Sequence, residues 1–492
     1  MRRNRDKSLN RSASRCLAMR IGLLSIGFAC FNLFSGAVSA AGEASVQSLE
    51  SGLNALWVML SAILVLLMQA GFILLEAGSA RMKNAGHIAA KTVITVGLGS
   101  LVFWAVGYGL IFGMNGNAFI GWGDFFFTPA SSTGLPPSVF FTFQLAFAAV
   151  SLSIVWGGFA ERARLSAYIW FTILFMALIY PVVAHWIWGG GWLAMHGKQD
   201  FAGSTVVHLT GAMAALAATL LLKPRMNKYD PDGSSKKIKG HNQVYITLGV
   251  LLLWVGWFGF NAGSTLSVGD GFFGYVAMNT QLGAAAGAVA ALAISCLRSG
   301  KADVPTLLNG MLAGLVAITA SCAFVEPWAA IIIGLIAGIL VYYCALWFER
   351  LRIDDPVSAL SVHGVAGVWG TLSNGIFATS ALAEKVGIGQ GGWLDTGSLH
   401  QLWVQAYGIL AAGGFAFVTS YVLLYAGKQL FGLRVNAEQE RLGLDLSEHG
   451  EYGYPEHFEH ADQDMQEPLR TESDEESVKQ YSEGLRRKNL LI

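Results

Sequence analysis

Runs of about twenty apolar residues recur from residue 53 to residue 427, and no other feature limits the possible folds of this chain as strongly. A helix of that length crosses the roughly 30 Å hydrocarbon core of a lipid bilayer. Of the 492 residues only 13% are charged, against about 25% in an ordinary soluble domain. We therefore predict an all-α polytopic membrane protein. Its formal net charge is zero, which gives no indication of a nucleic-acid partner.

The apolar runs predict eleven transmembrane helices in the mature chain. Their predicted ranges are 53–76, 89–113, 138–159, 167–190, 203–223, 243–263, 273–297, 306–323, 328–348, 361–377 and 402–427. Arginine and lysine are concentrated in alternate loops, whereas the other set of loops contains only Lys198 and Lys385. Basic loops remain on the cytoplasmic side of a membrane. The predicted topology has the N-terminus outside and the C-terminus inside, in the inner or plasma membrane.

Residues 1–40 have the organisation of a secretory signal peptide. A basic segment precedes the apolar sequence IGLLSIGFACFNLF, and the small residues VSA at 38–40 match a cleavage site. An uncleaved anchor helix is the alternative. Cleavage would leave a membrane domain at 41–430. The five cysteines predict no disulfide framework, since two lie in the leader and three in separate apolar runs.

Two pairs of similar segments reveal an internal repeat. DFAGSTVVH at 200–208 and DPVSALSVH at 355–363 begin the fifth and tenth predicted helices, and GFILLEAGS and GWFGFNAGS end the first and sixth. Because five helices separate the copies, the chain would contain two inverted five-helix repeats plus a C-terminal eleventh helix. Each histidine lies about 12 Å inward from its aspartate along a helix. His208 and His363 are therefore predicted to meet near the membrane midplane, as polar groups do in transport proteins.

Three explanations compete for this histidine pair. A single membrane histidine often serves helix packing, but ionisable groups at the midplane are costly and usually functional. Haem ligation by two histidines on facing helices is a second possibility. The repeat brings the two rings together, however, and leaves no evident slot for a macrocycle. We therefore favour a transport pathway and expect no cofactor and no metal.

Aromatic residues form a second group of candidates at the predicted outer side. WIWGGGW at 186–192 ends the fourth helix and WFGFNAGS at 257–264 ends the sixth. Tryptophan at such positions is common in the aromatic belt at the membrane surface. A tryptophan face beside a hydroxyl group can also bind a small cation. The spacing alone does not decide between these two roles.

Several segments together resemble the signature sequences of the ammonium transporter (Amt/Mep/Rh) family, of the bacterial type. They include LEAGSARMKNA, FAERARLSA, AHWIWGGGWLA, DFAGSTVVH, WFGFNAGS, DDPVSALSVHGVAGVWG and, after the last helix, LRVNAEQERLGLDLSEHGEYGY. The resemblance extends over roughly residues 50–454. It implies transport of ammonium or ammonia across a lipid bilayer, and no enzymatic activity.

By the same resemblance, Trp188 and Ser264 would form an outer recruitment site for ammonium, with Phe147 as a neighbour. Phe147 and Phe260 would stack as a gate beneath it. Asp200 would support the geometry and the electrostatics of the outer site.

The resemblance also implies roles for the residues of the pore and of the cytoplasmic side. His208 and His363 would line a narrow, largely apolar pore, and the family forms homotrimers. Residues 431–455 would be a cytoplasmic segment, and many members bind a PII-type regulatory protein on that side. Ser358 departs from the family, since many relatives carry an aspartate five residues before the second histidine. Residues 456–492 extend past the family segment and are predicted to be a disordered polar tail, with a regulatory appendage as the alternative.

A pore that penalises a cation by more than the cost of deprotonation favours passage of ammonia rather than of the ammonium cation. Removing a proton from an amine with a pKa of about 10.4 costs about 4.6 kcal/mol at pH 7. A cation at the bilayer midplane pays a penalty of about 2.5–17 kcal/mol. We expect deprotonation at the outer site, ammonia in the pore, and net charge transfer through a histidine relay. A passive gas channel, a sodium-coupled carrier, a sensor and a water or urea channel are the alternatives.

Overall fold

Long apolar helices dominate the computed structural model, which describes residues 46–128 and 134–457. These residues form no β-strand, only four isolated bridges. The chain divides into two compact units, Met1–Leu53 and Asn54–Ile492. Of the first unit only residues 46–53 are described, and they are helical. The predicted signal peptide and nearly all of the predicted tail lie outside the described residues.

Nine helical stretches among the described residues are long and apolar enough to cross a membrane. They are Ser48–Ser79 (the helix itself begins at Val46), Met82–Phe112, Pro137–Gly158, Leu165–Met195, Ser204–Leu222, Gln243–Thr265, Gly269–Ser299, Pro327–Arg350 and His400–Leu430. The other two predicted spans fall on shorter elements, the helix Val304–Thr319 and the helical pair Leu360–Val365 and Ala366–Phe377. The prediction of an all-helical, multi-pass membrane protein is therefore confirmed.

Polar residues and glycines fix the ends of these helices. The side chain of Asn242 accepts a hydrogen bond from the N–H of Tyr245 at the start of Gln243–Asn261. Asp303 caps Val304–Thr319 in the same way. Gly300 adopts a left-handed conformation and ends Phe272–Ser299. Each cap supplies partners for main-chain groups that have none within the helix.

Small residues allow three helices, Phe272–Ser299, Val304–Thr319 and Pro327–Arg350, to approach closely. A β-carbon added to Gly338 would lie only 2.3 Å from the main-chain oxygen of Gly287. Within a membrane, such close packing replaces the hydrophobic effect as the attraction between helices. The abundance of glycine in the apolar runs has this structural purpose.

Four short segments have the wider π-helical geometry: Phe103–Gly107, Phe175–Ile179, Ser204–Leu209 and Leu360–Val365. The last two contain His208 and His363. π-Helical turns are rare and occur frequently at functional sites. The same unusual backbone at both histidines strengthens the case for a repeat.

Residues after the last long helix form two short helices, Ala437–Leu442 and Leu444–His449. Asp445 accepts hydrogen bonds from the N–H groups of Gly86 and His87 at 3.0 and 2.7 Å. Glu440 accepts one from the N–H of Met226 at 2.7 Å. These contacts hold the segment against the ends of the membrane helices.

Candidate functional site

The two histidines of the repeat are in direct contact. His208 Nδ1 lies 3.1 Å from His363 Nδ1, and the rings are nearly parallel at 11°. Both side chains are buried. In a hydrogen bond between these two Nδ1 atoms, one nitrogen donates and the other accepts. The two neutral rings therefore share a single hydrogen at this contact. Because the rings touch at these nitrogens, there is no space between them for a macrocycle.

Aromatic rings enclose the histidine pair. Trp257 stacks on His208 with ring centroids 5.3 Å apart, and its indole N–H donates to Thr319 Oγ1 at 2.8 Å. Phe260 lies 5.6 Å from His208, and Phe72 lies 6.4 Å from His363. The rings around the pair are apolar, so a charged species here would lose most of its hydration without gaining an equivalent partner.

The two phenylalanines that the resemblance assigns to a gate are stacked. The ring centroids of Phe147 and Phe260 are 4.1 Å apart, at 26°, and both side chains are buried. Trp188 meets Phe147 edge-on at 5.8 Å. Ring contacts thus run without interruption from Trp188 through Phe147 and Phe260 to His208.

The position of Trp188 is fixed by the loop that precedes the first histidine. Its indole Nε1 donates to the main-chain oxygen of Asp200 at 2.8 Å. Gly203 has a φ of +113°, and a β-carbon there would lie 3.0 Å from the Trp188 ring. Glycine is therefore required by both the backbone conformation and the close approach of the indole.

Ser264 is less closely connected to this group. Its hydroxyl donates to the main-chain oxygen of Phe260 at 2.7 Å. Within the described part of the chain, no hydrogen bond or ring contact joins Ser264 directly to Trp188 or Phe147. The side chain is partly exposed, so its hydroxyl oxygen can still accept from a ligand.

Asp200 caps the π-helical segment that carries His208. Its Oδ2 accepts from the N–H groups of Thr205 and Val206 at 3.0 and 2.9 Å. Its Oδ1 is buried and has no hydrogen-bond partner among the described residues. Burial raises the pKa of Asp200, against the charge of Lys198 and the two N–H donors. The aspartate therefore holds the backbone of the segment that carries His208.

Lys198 is a buried cation that the sequence pattern did not single out as a site residue. Its Nζ donates to Thr205 Oγ1 at 3.1 Å and to the main-chain oxygen of Gln199 at 3.3 Å. Burial lowers the pKa of Lys198 to about 8, although the nearby Asp200 opposes this effect.

Three further residues near the site were also missed from the sequence. Trp257 stands three residues before Phe260 in a helix, and that spacing places both on one face. Glu76 and Lys91 form a buried ion pair at 2.6 Å. The sequence signal for this pair was the presence of charged residues within apolar runs.

Within the described ranges, no group of three or more histidine, cysteine, aspartate or glutamate side chains could hold a metal ion.

Comparison with known proteins gives a consistent result. The Ammonium Transporter Family model matches residues 56–454. Ammonium transporter Amt2 of Archaeoglobus fulgidus is 41% identical over 89% of this chain and 95% of its own length. A solved structure called "Sensor Amt Protein" aligns with a TM-score of 0.77 and 40% identity, covering 82% of this chain and all of that one. Candida albicans Mep2 aligns with a TM-score of 0.74 and 31% identity, covering 82% and 90%. The chain therefore belongs to the ammonium transporter family, whose members are transporters rather than enzymes.

Proposed function

We propose that this protein carries ammonium nitrogen through the membrane as ammonia, while the released proton crosses through His208 and His363. Family membership supports ammonium transport itself. The observation that carries the finer proposal is the 3.1 Å contact between two buried imidazoles at the end of a continuous aromatic series. A passive gas pore needs only an apolar bore and has no use for such a pair.

The proposed topology has eleven transmembrane helices, with the N-terminus outside and the C-terminus inside the plasma or inner membrane. Nine long helices and two shorter ones at the predicted positions support the number. The uneven distribution of basic residues between alternate loops supports the orientation. The membrane domain would be 41–430, and 431–455 would lie in the cytoplasm.

Recruitment would take place at Trp188, Phe147 and Ser264. The ring faces attract a small cation, and the Ser264 hydroxyl offers an acceptor. The carboxylate of Asp200 would add a favourable field without touching the ion. Because cation–π attraction is worth only about 0.5–2 kcal/mol, the site would collect ammonium without trapping it.

Passage beyond this site requires the gate to open. With ring centroids 4.1 Å apart, Phe147 and Phe260 leave no space between them. The pore beneath is apolar, so deprotonation at about 4.6 kcal/mol costs less than the upper range of the midplane penalty for a cation. Potassium has no proton to release, and this difference would give the selectivity.

The histidines would provide the route for the proton. The shared hydrogen between the two Nδ1 atoms can move from one ring to the other. His208 Nε2 is buried and has no hydrogen-bond partner among the residues described, so it is available to a passing ammonia. Each transport event would then move one positive charge.

Assembly and regulation are proposed from the resemblance. The functional unit would be a homotrimer with one pore per subunit. A PII-type protein would bind at the cytoplasmic face, and the contacts of Asp445 and Glu440 with Gly86 and Met226 support a role of 431–455 as a regulatory segment there. Ammonium sensing is a second candidate function, favoured by the similarity to the sensor protein structure.

The first prediction tests the relay in purified protein on a solid-supported membrane. We expect an ammonium-evoked current that saturates, and a loss of about a hundredfold or more in His208→Ala, typical of a removed proton-transfer group. His196→Ala, an exposed histidine, is the matched control and should keep the current. Currents unchanged by His208→Ala would contradict the relay. Ammonia-driven alkalinisation of liposomes without current would indicate a gas channel. Binding of ammonium with neither current nor alkalinisation would indicate a sensor.

A further inference from the structure

Two charged side chains lie in the membrane helices beside the pore, outside the site described above. Lys91 Nζ is 2.6 Å from Glu76 Oε2, and the side chains are only 1% and 3% exposed. They belong to the stretches Met82–Phe112 and Ser48–Ser79. Burying two charges is costly, and replacing such a pair by apolar residues is often neutral or stabilising. Helix packing alone therefore gives no reason for this pair.

A small cavity connects Glu76 of this pair with His363. It has a volume of about 10 Å³ and is lined by Glu76, Ser153 and His363 together with the apolar side chains of Phe72, Leu312 and Val362. That volume accommodates about one water molecule, which needs two to four polar partners. The carboxylate, the hydroxyl and the imidazole supply three. Ser153 donates its own hydrogen to Gln69 Oε1 at 2.6 Å, so its oxygen is left to accept from the water.

The inner histidine has one nitrogen to spare for this cavity. His363 uses Nδ1 in its contact with His208, which leaves Nε2 as the second exchange site of the ring. An imidazole that receives a proton on one nitrogen can release the other. A proton entering from His208 would therefore leave His363 at Nε2.

The cavity also adjoins a larger one that opens among the basic loops. This larger cavity has a volume of about 350 Å³ and shares Leu75 and Val357 with the smaller one. Its polar lining includes Ser79, Lys237 and Asp303. Ser79 follows Glu76 by three residues, about 4.5 Å along a helix. The route from the carboxylate to the proposed cytoplasmic side is therefore short.

We propose that Glu76 accepts the proton that leaves His363 and passes it to water at the inner face, with Lys91 as its fixed counter-ion. This inference rests on the proposed relay and extends it by one step. The proton moves from imidazolium Nε2 through one water to the carboxylate, giving a neutral imidazole and a carboxylic acid. Protonation leaves Lys91 without its counter-ion, and the unpaired charge favours release of the proton to the inner water. Ammonia that leaves the pore takes up a proton there, so one ammonium is delivered for each charge moved.

The second prediction concerns Glu76→Gln, measured by current and by liposome alkalinisation in parallel. We expect the current to fall at least about tenfold while neutral ammonia still permeates, because the aromatic and histidine contacts remain. Glu76→Asp should recover part of the current, since it restores a carboxylate. Glu349→Gln is the matched control, a partly exposed carboxylate paired with Lys228 on the same side, and should leave the current unchanged.

A folding defect is separated from loss of proton transfer by the double variant Glu76→Gln with Lys91→Met, which leaves no unpaired buried charge. We expect this protein to remain folded, to pass ammonia and to carry little current. Full current in either variant would overturn the proposal. If the wild type carries current that His208→Ala abolishes, a normal Glu76→Gln current would reject only this inner step. A wild type without current would reject the relay and this step together.

Discussion

The two aspartates of the repeat make the same main-chain hydrogen bonds but lie in different electrostatic surroundings. Asp200 accepts two main-chain N–H groups ahead of His208, at 3.0 and 2.9 Å. Asp355 accepts those of Ala359 and Leu360 ahead of His363, at 2.9 and 2.8 Å. Each aspartate stands eight residues before its histidine and caps a π-helical segment. The recurring Asp-x7-His pattern is therefore explained by the cap.

The surroundings of the two caps differ. Lys198 is the cation whose charge acts on Asp200. Near Asp355, a network of ion pairs surrounds Arg225, which binds both oxygens of Asp354 at 2.8 Å and Glu161 at 2.6 Å. Arg81 adds a second pair to Glu161.

The pKa values follow these surroundings. Burial alone would raise the pKa of Asp354, but the hydrogen bonds and charge of Arg225 outweigh it and lower the pKa to about 2. Asp355 has no such partner, and burial raises its pKa to about 6. The repeat thus determines the backbone conformation before each histidine, whereas the loops determine which charged groups surround each aspartate.

The largest expected effect comes from breaking the inner network with Arg225→Met. Two buried carboxylates would lose their common partner, and such a loss costs about 3–5 kcal/mol. We expect a much lower melting temperature of the detergent-purified protein, measured by fluorescence-detected size exclusion. Adding Glu161→Gln and Asp354→Asn should restore part of the stability, because the carboxylate charges are removed.

Lys236→Met is the control for that experiment. Lys236 pairs with Asp230, and the two side chains are 53% and 36% exposed. We therefore expect the substitution to lower the free energy of unfolding by less than about 1 kcal/mol. Equal melting temperatures for Arg225→Met and Lys236→Met would show that the network contributes nothing beyond a surface pair.

A smaller effect is expected from removing either cap with Asp200→Ala or Asp355→Ala. Each variant leaves two buried N–H groups without an acceptor, at a cost of about 1–2 kcal/mol. For Asp355 the cost should depend on pH. Since its folded pKa is raised to about 6 from 3.8, the wild type loses stability as pH rises between these values. The penalty of Asp355→Ala should therefore be larger near pH 4 than near pH 7, and a pH-independent penalty would contradict the raised pKa.

The smallest effect should come from Lys198→Met, and it should have the opposite sign. Burial lowers the pKa of Lys198 from 10.5 to about 8, so the wild type gains stability as pH rises through this range. At pH 7 the variant should be more stable by about 1 kcal/mol, once the loss of two hydrogen bonds is subtracted. By about pH 10 the advantage should be lost and reversed, because the penalty for the buried charge is then small whereas the lost hydrogen bonds still count. Lys385→Met, an exposed lysine, should show no such trend in the same melting experiment.

The meeting of the two histidines could be predicted because these residues occur in two matching sequence frames. Asp200 and His208 recur as Asp355 and His363, and helical geometry places the histidines at equal depth. Their contact at 3.1 Å agrees with that expectation. Trp188 was selected by resemblance, but its hydrogen bond to the Asp200 main chain was not predictable, because it depends on how a loop folds back.

The sequence by itself determined the helical membrane fold, the family and the two matching frames, because apolar length and local spacing are properties of the chain. Only the tertiary structure decided which distant side chains meet. Glu76 and Lys91 lie on different helices, and so do Trp257 and His208, while Lys198 is buried with its side chain against Gly408 of the last long helix. Such pairings depend on helix rotation and depth, which no local pattern specifies. The electrostatic character around Asp200 and around Asp355 was therefore set by packing and not by the repeat.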